Sequence, residues 1–315
     1  GGEVTEFSSR IPSAIAMIVL TVVGFRFYSR RAAKFVAMVM ALITMTAFGV
    51  YRAAFTCRVD MVLTMFIVTS LYALYHHYER GAKGISWIAI LLMSCGVLTK
   101  GPIAIILPCL VMGIFYLLRG VGFWRTFTQL AVSGLLACVI PAMWYIAAYQ
   151  QGGEHFLDLV KEENIDRFLG KMSYGSHENP IHYNFITVIS GMLPYTLLAI
   201  FSLFSIKYSS PIHKGEGAKS LFSRFKRWIK KMDDVKLFSL LSLVLIFTFY
   251  CIPKSKRSVY LLPIYPFIAY YLTLYIMYLF VEEYYACYVR RRPKLTRDPH
   301  LHCPGRRLAH FPRFY

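Results

Sequence analysis

An arginine and an aspartate, Arg58 and Asp60, stand directly before an apolar run that extends from Met61 to Tyr75. Ionised groups are costly to keep at the edge of a membrane-length segment, so a carboxylate in that position indicates a functional role. A helix cap is the alternative, because the helix dipole favours an anion in the first turn and Arg58 would be its local partner. Asp60 is therefore interpreted either as an active-site carboxylate or as a helix cap.

Cations interrupt the apolar pattern at two further points. Lys100 lies in a short turn between two apolar runs, where either an active-site role or snorkelling of its side chain to the bilayer surface would explain it. Lys254, Lys256 and Arg257 share another short turn, with Tyr260 just after it. Lysine and arginine both bind phosphate, and a tyrosine hydroxyl adds one hydrogen bond. This turn predicts an anion site, unless the flanking runs form a hairpin placed elsewhere.

The composition is that of a polytopic membrane protein. Hydrophobic residues make up 57% of the 315 residues and charged residues only 16%, with a mean hydropathy of +0.50. The net charge of +19 does not indicate nucleic-acid binding, because the basic residues lie in short loops between apolar runs. The seven cysteines are scattered and form no C-x-x-C pair, which favours neither a disulfide framework nor a zinc site.

Apolar runs of membrane length recur along the chain and predict an all-α, polytopic transmembrane helical bundle over residues 1–285. Nine runs are expected to span the membrane. They are Pro12–Tyr28, Ala33–Val50, Met61–Tyr75, Ile85–Leu98, Pro102–Leu118, Phe127–Ala148, Tyr183–Ile206, Leu237–Ile252 and Val259–Val281.

The distribution of lysine and arginine predicts the orientation of these spans. With the N-terminus outside, the richer basic loops fall in the cytoplasm, including residues 207–236, whose amphipathic basic stretch is typical of an anchor on the inner leaflet. The C-terminus is then cytoplasmic, and the basic tail 286–315 is expected to be disordered or foreign to the fold. Asp60, Lys100 and the Lys254–Arg257 turn all fall on the outer face.

A long outer loop, residues 149–182, completes this face. Apolar side chains recur at helical spacing from Glu154 to Leu169, which predicts an interfacial helix. The glycines that follow it and the pair His177 and Glu178 indicate a loop able to close over a ligand. This pair is interpreted either as an acid and base or as solvated loop residues.

Six short motifs, which follow one another along the chain in the same order as in the family, resemble those of the polyprenyl-phosphate-sugar glycosyltransferases of the GT-C superfamily. That superfamily includes the bacterial lipid A aminoarabinose transferase and the dolichyl-phosphate-mannose protein mannosyltransferases. The motifs cover about residues 10–265 and are Arg58-x-Asp60, Leu98-Thr99-Lys100-Gly101-Pro102, Glu163-Asn164-x-x-Arg167-Phe168, His177-x-x-Pro180-x-x-Tyr183, Gly191-x-Leu193-Pro194 and Lys256-x-x-x-Tyr260-x-Leu262-Pro263.

The resemblance implies a sugar donor carried on polyprenyl phosphate and transfer at the periplasmic face of a bacterial inner membrane, to a hydroxyl of a lipid A-like lipid or of a protein. It implies catalytic roles for Asp60 and Lys100. Substrate-binding roles follow for the other cations and for two further side chains. These residues are Arg58, Arg167, His177, Lys254, Lys256, Arg257 and Tyr260.

Asp60 differs from the acidic base of the family, which lies in the first outer loop after the first membrane helix. This chain is expected to begin after that point and so to lack the family's base, in which case Asp60 is a second carboxylate that positions the acceptor or a divalent cation. A transporter or flippase for an anionic lipid-linked substrate is the alternative from another class, and helices broken at mid-membrane would favour it.

The orientation can be tested by cysteine labelling on a Cys-free background. His177→Cys should react with a membrane-impermeant maleimide in intact cells, because the outer loop is expected to face the periplasm. Ser209→Cys, in the basic loop 207–236, is the matched control and should react only after permeabilisation. Protection of His177→Cys in intact cells would contradict the orientation.

Overall fold

The computed structural model describes residues 5–82, 84–162, 179–205, 228–253 and 255–291, with side chains for all of them except 202–205 and 281–291. Helices account for the regular structure of these residues. The expectation of an all-α transmembrane bundle is confirmed. The helices are α1 (Glu6–Ser29), α2 (Lys34–Thr46), α3 (Phe48–Ala54), α4 (Asp60–Glu79), α5 (Trp87–Lys100), α6 (Ile103–Leu118), α7 (Phe123–Lys161), α8 (His182–Gly191), α9 (Thr196–Ser205), α10 (Asp234–Cys251), a 3-10 helix (Ser258–Ile264) and α11 (Tyr265–Arg291).

Every apolar run inferred from the sequence contains helix, although some runs are divided. Within the described residues, four helical stretches are long and apolar enough to cross a membrane: α1, α7, α10 and Ser258–Phe280. The bent pair α2 and α3 makes a fifth, and α5 and α6 are shorter apolar helices. The count of nine spans stays a prediction.

The long helix α7 changes direction at Gly153, whose positive φ of 58° an L side chain rarely adopts. Beyond this kink the chain is again helical from Glu154 to Lys161. This stretch coincides with the first half of the expected interfacial helix. The second half lies outside the described residues, as do the basic loop up to 227 and the tail from 292.

Aromatic side chains fill the centre of the bundle and join four helices. Phe27 stacks on Tyr72 at a centroid distance of 4.2 Å, and Tyr28 stacks on Tyr270 at 4.5 Å. The buried Tyr28 hydroxyl lies 2.8 Å from the hydroxyl of Ser239, so this polar tip has a partner within the core. The contacts bind α1, α4, α10 and α11 into one unit.

Arginine side chains fasten the helix ends at the side of the bundle where α4 and α6 end. Arg119 follows α6, donates to the carbonyl oxygens of Ile229 (3.3 Å) and Met232 (2.6 Å), and pairs with Asp234 at 2.7 Å. Arg31 forms a two-pronged ion pair with Glu79. Helix C-terminal carbonyls lack intrahelical partners, so these cations satisfy groups that the helices leave open.

Two helices are broken within the bundle, and their breaks meet. The α2–α3 pair bends by 63° at Ala47, and α8 gives way to α9 near Leu193. The Phe48 amide donates to the Leu193 carbonyl at 2.9 Å, and the hydroxyls of Thr46 and Tyr195 lie 2.7 Å apart. The Phe48 amide and the two hydroxyls therefore have partners across the α2–α3 bend and the α8–α9 turn.

The hydroxyl of Tyr265 fits between the two broken helices, in space that two glycines leave open. A Cβ atom built on Gly191 would lie 1.7 Å from that hydroxyl oxygen, and one built on Gly49 would lie 2.7 Å from it. Real Cβ atoms do not approach so closely. The contact therefore requires glycine at both positions.

Substituting Gly191 should destabilise the fold. Gly191→Ala is expected to cost about 1–3 kcal/mol, the range for overpacking a core, measured as a lower unfolding midpoint in detergent. Adding Tyr265→Phe removes the nearest atom and should recover part of the loss. Gly24→Ala is the matched control, because its Cβ would meet only ordinary contacts from 3.5 Å outward. Equal midpoints for Gly191→Ala and Gly24→Ala would refute this packing argument.

Candidate active site

Asp60 is the first residue of α4 and forms an ion pair with Lys100, the last residue of α5. The two side chains are 11% and 23% exposed, so the pair is largely withdrawn from water. Asp60 lies in the first turn of α4, where the helix dipole favours an anion, so the helix-terminus interpretation agrees with its position. Arg58 is not its partner: the Arg58 side chain is exposed, and the ion pair comes from another helix.

The turn between α5 and α6 determines where the Lys100 ammonium lies. Gly101 has a φ of 100°, which ends α5 directly after Lys100, and Pro102 then precedes α6. The ammonium lies 4.8 Å from the centroid of the Tyr260 ring, a cation–π distance. Tyr260 in turn stacks on Tyr250 at 5.5 Å. Lys100 is thus held by a carboxylate and an aromatic face together.

The turn after α10 brings two more cations to the same place. Lys256 is only 6% exposed, and its ammonium donates to the Pro253 carbonyl at 2.7 Å. The Nε atom of Arg257 is buried without a hydrogen-bond partner among the described residues. Asn179 donates to the Lys256 carbonyl at 3.2 Å and so ties the segment before α8 to this turn.

These side chains surround a polar cavity of about 710 Å³. Its described lining carries four cationic side chains and a single carboxylate, that of Asp60, so the cavity favours an anionic ligand. The lining residues are Cys57, Arg58, Val59, Asp60, Lys100, Asn179, Tyr183, Lys256, Arg257 and Ser258.

A second cavity of about 750 Å³ adjoins the first and shares Asp60 and Lys100 with it. Most of its lining is apolar or aromatic, including Trp144, Phe156 and Phe249. The Asp60–Lys100 pair therefore stands where a cationic chamber meets an apolar one. Such a junction suits a ligand with an anionic head and a long apolar chain.

Six of the residues singled out from the sequence meet around these two cavities: Arg58, Asp60, Lys100, Lys256, Arg257 and Tyr260. Lys254, Arg167 and His177 lie outside the described residues. Sequence reasoning gave no role to Asn179, Tyr183 or Trp144. Tyr183 belongs to the motif His177-x-x-Pro180-x-x-Tyr183, and Trp144 lies near the end of an apolar run, where interfacial aromatic residues are common. The sequence therefore contained a clue to each of these two residues.

The described residues do not fit a divalent cation. They contain no group of three or more histidine, cysteine, aspartate or glutamate side chains that could hold a metal ion. Asp60 is the single acid in the described linings of both cavities, and its partner is the Lys100 ammonium.

Comparisons with known proteins point to one superfamily. The profile of the dolichyl-phosphate-mannose-protein mannosyltransferase family matches residues 2–145. An uncharacterised Aquifex aeolicus protein is 28% identical over 67% of this chain and 36% of its own length. An undecaprenyl phosphate-alpha-4-amino-4-deoxy-L-arabinose arabinosyl transferase of Proteus mirabilis is 24% identical over 82% of this chain and 43% of its own.

The fold agrees with these relatives. The crystal structure of ArnT from Cupriavidus metallidurans bound to undecaprenyl phosphate superposes with a TM-score of 0.63, at 20% identity, over 96% of this chain and 54% of that one. Residues 2–145 are thus similar in sequence to that mannosyltransferase family, and the fold of the chain is similar to that of ArnT. The chain spans less than half the length of the curated GT-C relatives it matches.

The Asp60–Lys100 pair can be tested by a double-mutant cycle in the full-length protein. Lys100→Met leaves a largely buried carboxylate without its cation and should lower the free energy of unfolding by about 2–4 kcal/mol. Asp60→Asn/Lys100→Met should be less destabilised than the sum of the single variants, with a coupling energy of about 1–3 kcal/mol. Strict additivity in detergent unfolding would show that the two groups do not interact.

Proposed function

We propose that this protein transfers a sugar from a polyprenyl-phosphate carrier to a hydroxyl acceptor. The observation that carries the proposal is the position of the Asp60–Lys100 pair, between a cationic cavity and an apolar one. A polyprenyl-phosphate sugar has this same division, with a polar sugar phosphate at one end and a long hydrocarbon chain at the other. The apolar cavity takes the chain, and the cationic side takes the phosphate and the sugar.

The charge of the site suits the leaving group. As the bond between the sugar C1 and the phosphate oxygen breaks, its electron pair remains on the lipid phosphate. Lys100, Lys256 and Arg257 stabilise that developing charge, because cations placed beforehand in a water-poor site act strongly on it. The acceptor oxygen forms the new bond to C1, and its proton passes to the Asp60 carboxylate.

Lys100 links donor binding to this base. In the structure its ammonium is paired with Asp60, so the carboxylate is engaged by Lys100 and is not available to an acceptor hydroxyl. A donor phosphate entering beside Lys100 competes for the same ammonium. We propose that Lys100 moves its interaction toward the phosphate, so that Asp60 becomes free to accept a proton only when the donor is bound.

The donor sugar, the acceptor and the membrane face belong to the same proposal. The names of two relatives suggest 4-amino-4-deoxy-L-arabinose on undecaprenyl phosphate as the first donor to test. A lipid A-like lipid is the first acceptor and a protein hydroxyl the second, in keeping with the mannosyltransferase profile. The positive-inside pattern supports a site at the periplasmic face of the bacterial inner membrane.

Transport of a lipid-linked anion is the competing function, and the bent helix pair α2–α3 is the feature that favours it. However, the groups that meet where this pair contacts the turn between α8 and α9 are uncharged: Thr46, Phe48, Leu193 and Tyr195 contribute hydroxyl and backbone groups that bond to one another. The charged side chains collect at the helix ends instead. This arrangement supports the transferase.

Asp60→Asn separates catalysis from binding. Asparagine keeps the shape of the side chain but cannot accept the acceptor's proton, so turnover should fall about 100-fold or more. Affinity for undecaprenyl phosphate should be kept or rise, because Lys100 loses its competing carboxylate. Transfer would be measured from undecaprenyl-phosphate-linked aminoarabinose to lipid A, beside Glu6→Gln, a carboxylate variant at an exposed position expected to retain full activity.

Lys100→Ala gives the complementary result and should weaken undecaprenyl phosphate binding by about 10-fold or more, since a charge-assisted bond contributes roughly 1.5–3 kcal/mol. Full turnover in Asp60→Asn would place the base elsewhere in the protein. Movement of the intact lipid-linked sugar between leaflets, with no transfer to any acceptor, would favour the transporter.

A further inference from the structure

A buried amide outside the charged cluster holds the end of α10. Asn184 is 1% exposed and lies in the first turn of α8. Its Nδ2 atom donates to the Tyr250 carbonyl at 2.9 Å and lies 3.5 Å from the sulfur of Cys251. Carbonyl groups in the last turn of a helix have no intrahelical hydrogen-bond donor. The Asn184 amide supplies a donor that α10 itself does not provide.

This contact lies at the start of the cationic turn. α10 ends at Cys251, and the chain then passes through Pro253 to Lys256 and Arg257. Asn179 donates to the Lys256 carbonyl from the other side. Two amides of one loop-and-helix segment therefore hold both ends of the turn that carries two cations of the site.

The same contact also reaches Lys100. Tyr250, whose carbonyl Asn184 binds, stacks its ring on Tyr260, and the Tyr260 ring faces the Lys100 ammonium at 4.8 Å. The path from Asn184 through Tyr250 and Tyr260 ends at the cation that pairs with Asp60. One amide thus supports both groups of cations from a position behind the cavity wall.

We infer that Asn184 is a positioning residue for the anionic head of the donor. It acts through the Lys256–Arg257 turn and the Tyr250–Tyr260 stack and touches no substrate itself. The inference rests on the proposed function. The strength of a charge-assisted hydrogen bond depends on its geometry. Loss of the Asn184 bond should therefore misplace the cations and lower the affinity for phosphate by more than a loss of folded protein alone would explain.

The test uses Asn184→Asp, which keeps the shape of the side chain but turns an acceptor oxygen toward the Tyr250 carbonyl, and Asn184→Ser, whose side chain is too short to reach it. Both full-length variants should bind undecaprenyl phosphate about 10-fold more weakly than the wild type. Ser94→Ala is the matched control. It removes an equally buried bond, from Ser94 to the Ala137 carbonyl at 2.8 Å, away from the cavities, and should leave affinity unchanged.

A double-mutant comparison separates positioning from a general loss of structure. In a Lys256→Ala/Arg257→Ala background the Asn184→Ser effect should shrink to less than about 3-fold, because only the path through Tyr250 and Tyr260 to Lys100 is left. Unchanged affinity in Asn184→Ser, or a full 10-fold effect in that background, would overturn the inference. Failure of the wild type to bind undecaprenyl phosphate would overturn both the proposed function and the inference on Asn184. This outcome is distinct from the others because it is observed in the wild type and does not depend on the variants.

Discussion

The ion pair between Asp60 and Lys100 is the interaction on which the rest of the site depends. Two opposite charges withdrawn from water are tolerated only when they lie close together, so the start of α4 and the end of α5 must stay in register. The glycine turn fixes where α5 ends, and the close approach of Gly96 in α5 to Phe66 in α4 maintains that register. A site built on helix ends thus gains its accuracy from the packing of whole helices.

The two ends of the bundle use cations in opposite ways. At the α6 C-terminus, Arg119 is surrounded by carbonyl groups and a carboxylate, and its charge serves to fasten loops. At the cavity end, cations outnumber the one carboxylate, and the buried Nε of Arg257 has no hydrogen-bond partner in the described part of the chain. Charge that is compensated stabilises a fold, whereas an excess of one sign is available to a ligand.

Hydropathy was enough to predict the helical bundle and the residues of the charged end, because apolar length and interrupting charges are local properties of a sequence. The pairing was not predictable in the same way. Arg58 was the expected partner of Asp60 because it is near in sequence, yet Lys100 is the partner, through a hairpin whose geometry the pattern does not contain. Asn184 gave no signal at all, since its role comes from a carbonyl on another helix.

The meeting of the two broken helices has a consequence for biosynthesis. The Phe48 amide depends on Leu193 for its partner, and the linked hydroxyls of Thr46 and Tyr195 are 149 positions apart in the chain. During synthesis α2 and α3 therefore enter the membrane long before the segment that completes them exists. The bend between α2 and α3 accordingly reaches its final hydrogen bonds only after residues as late as Tyr195 have been made.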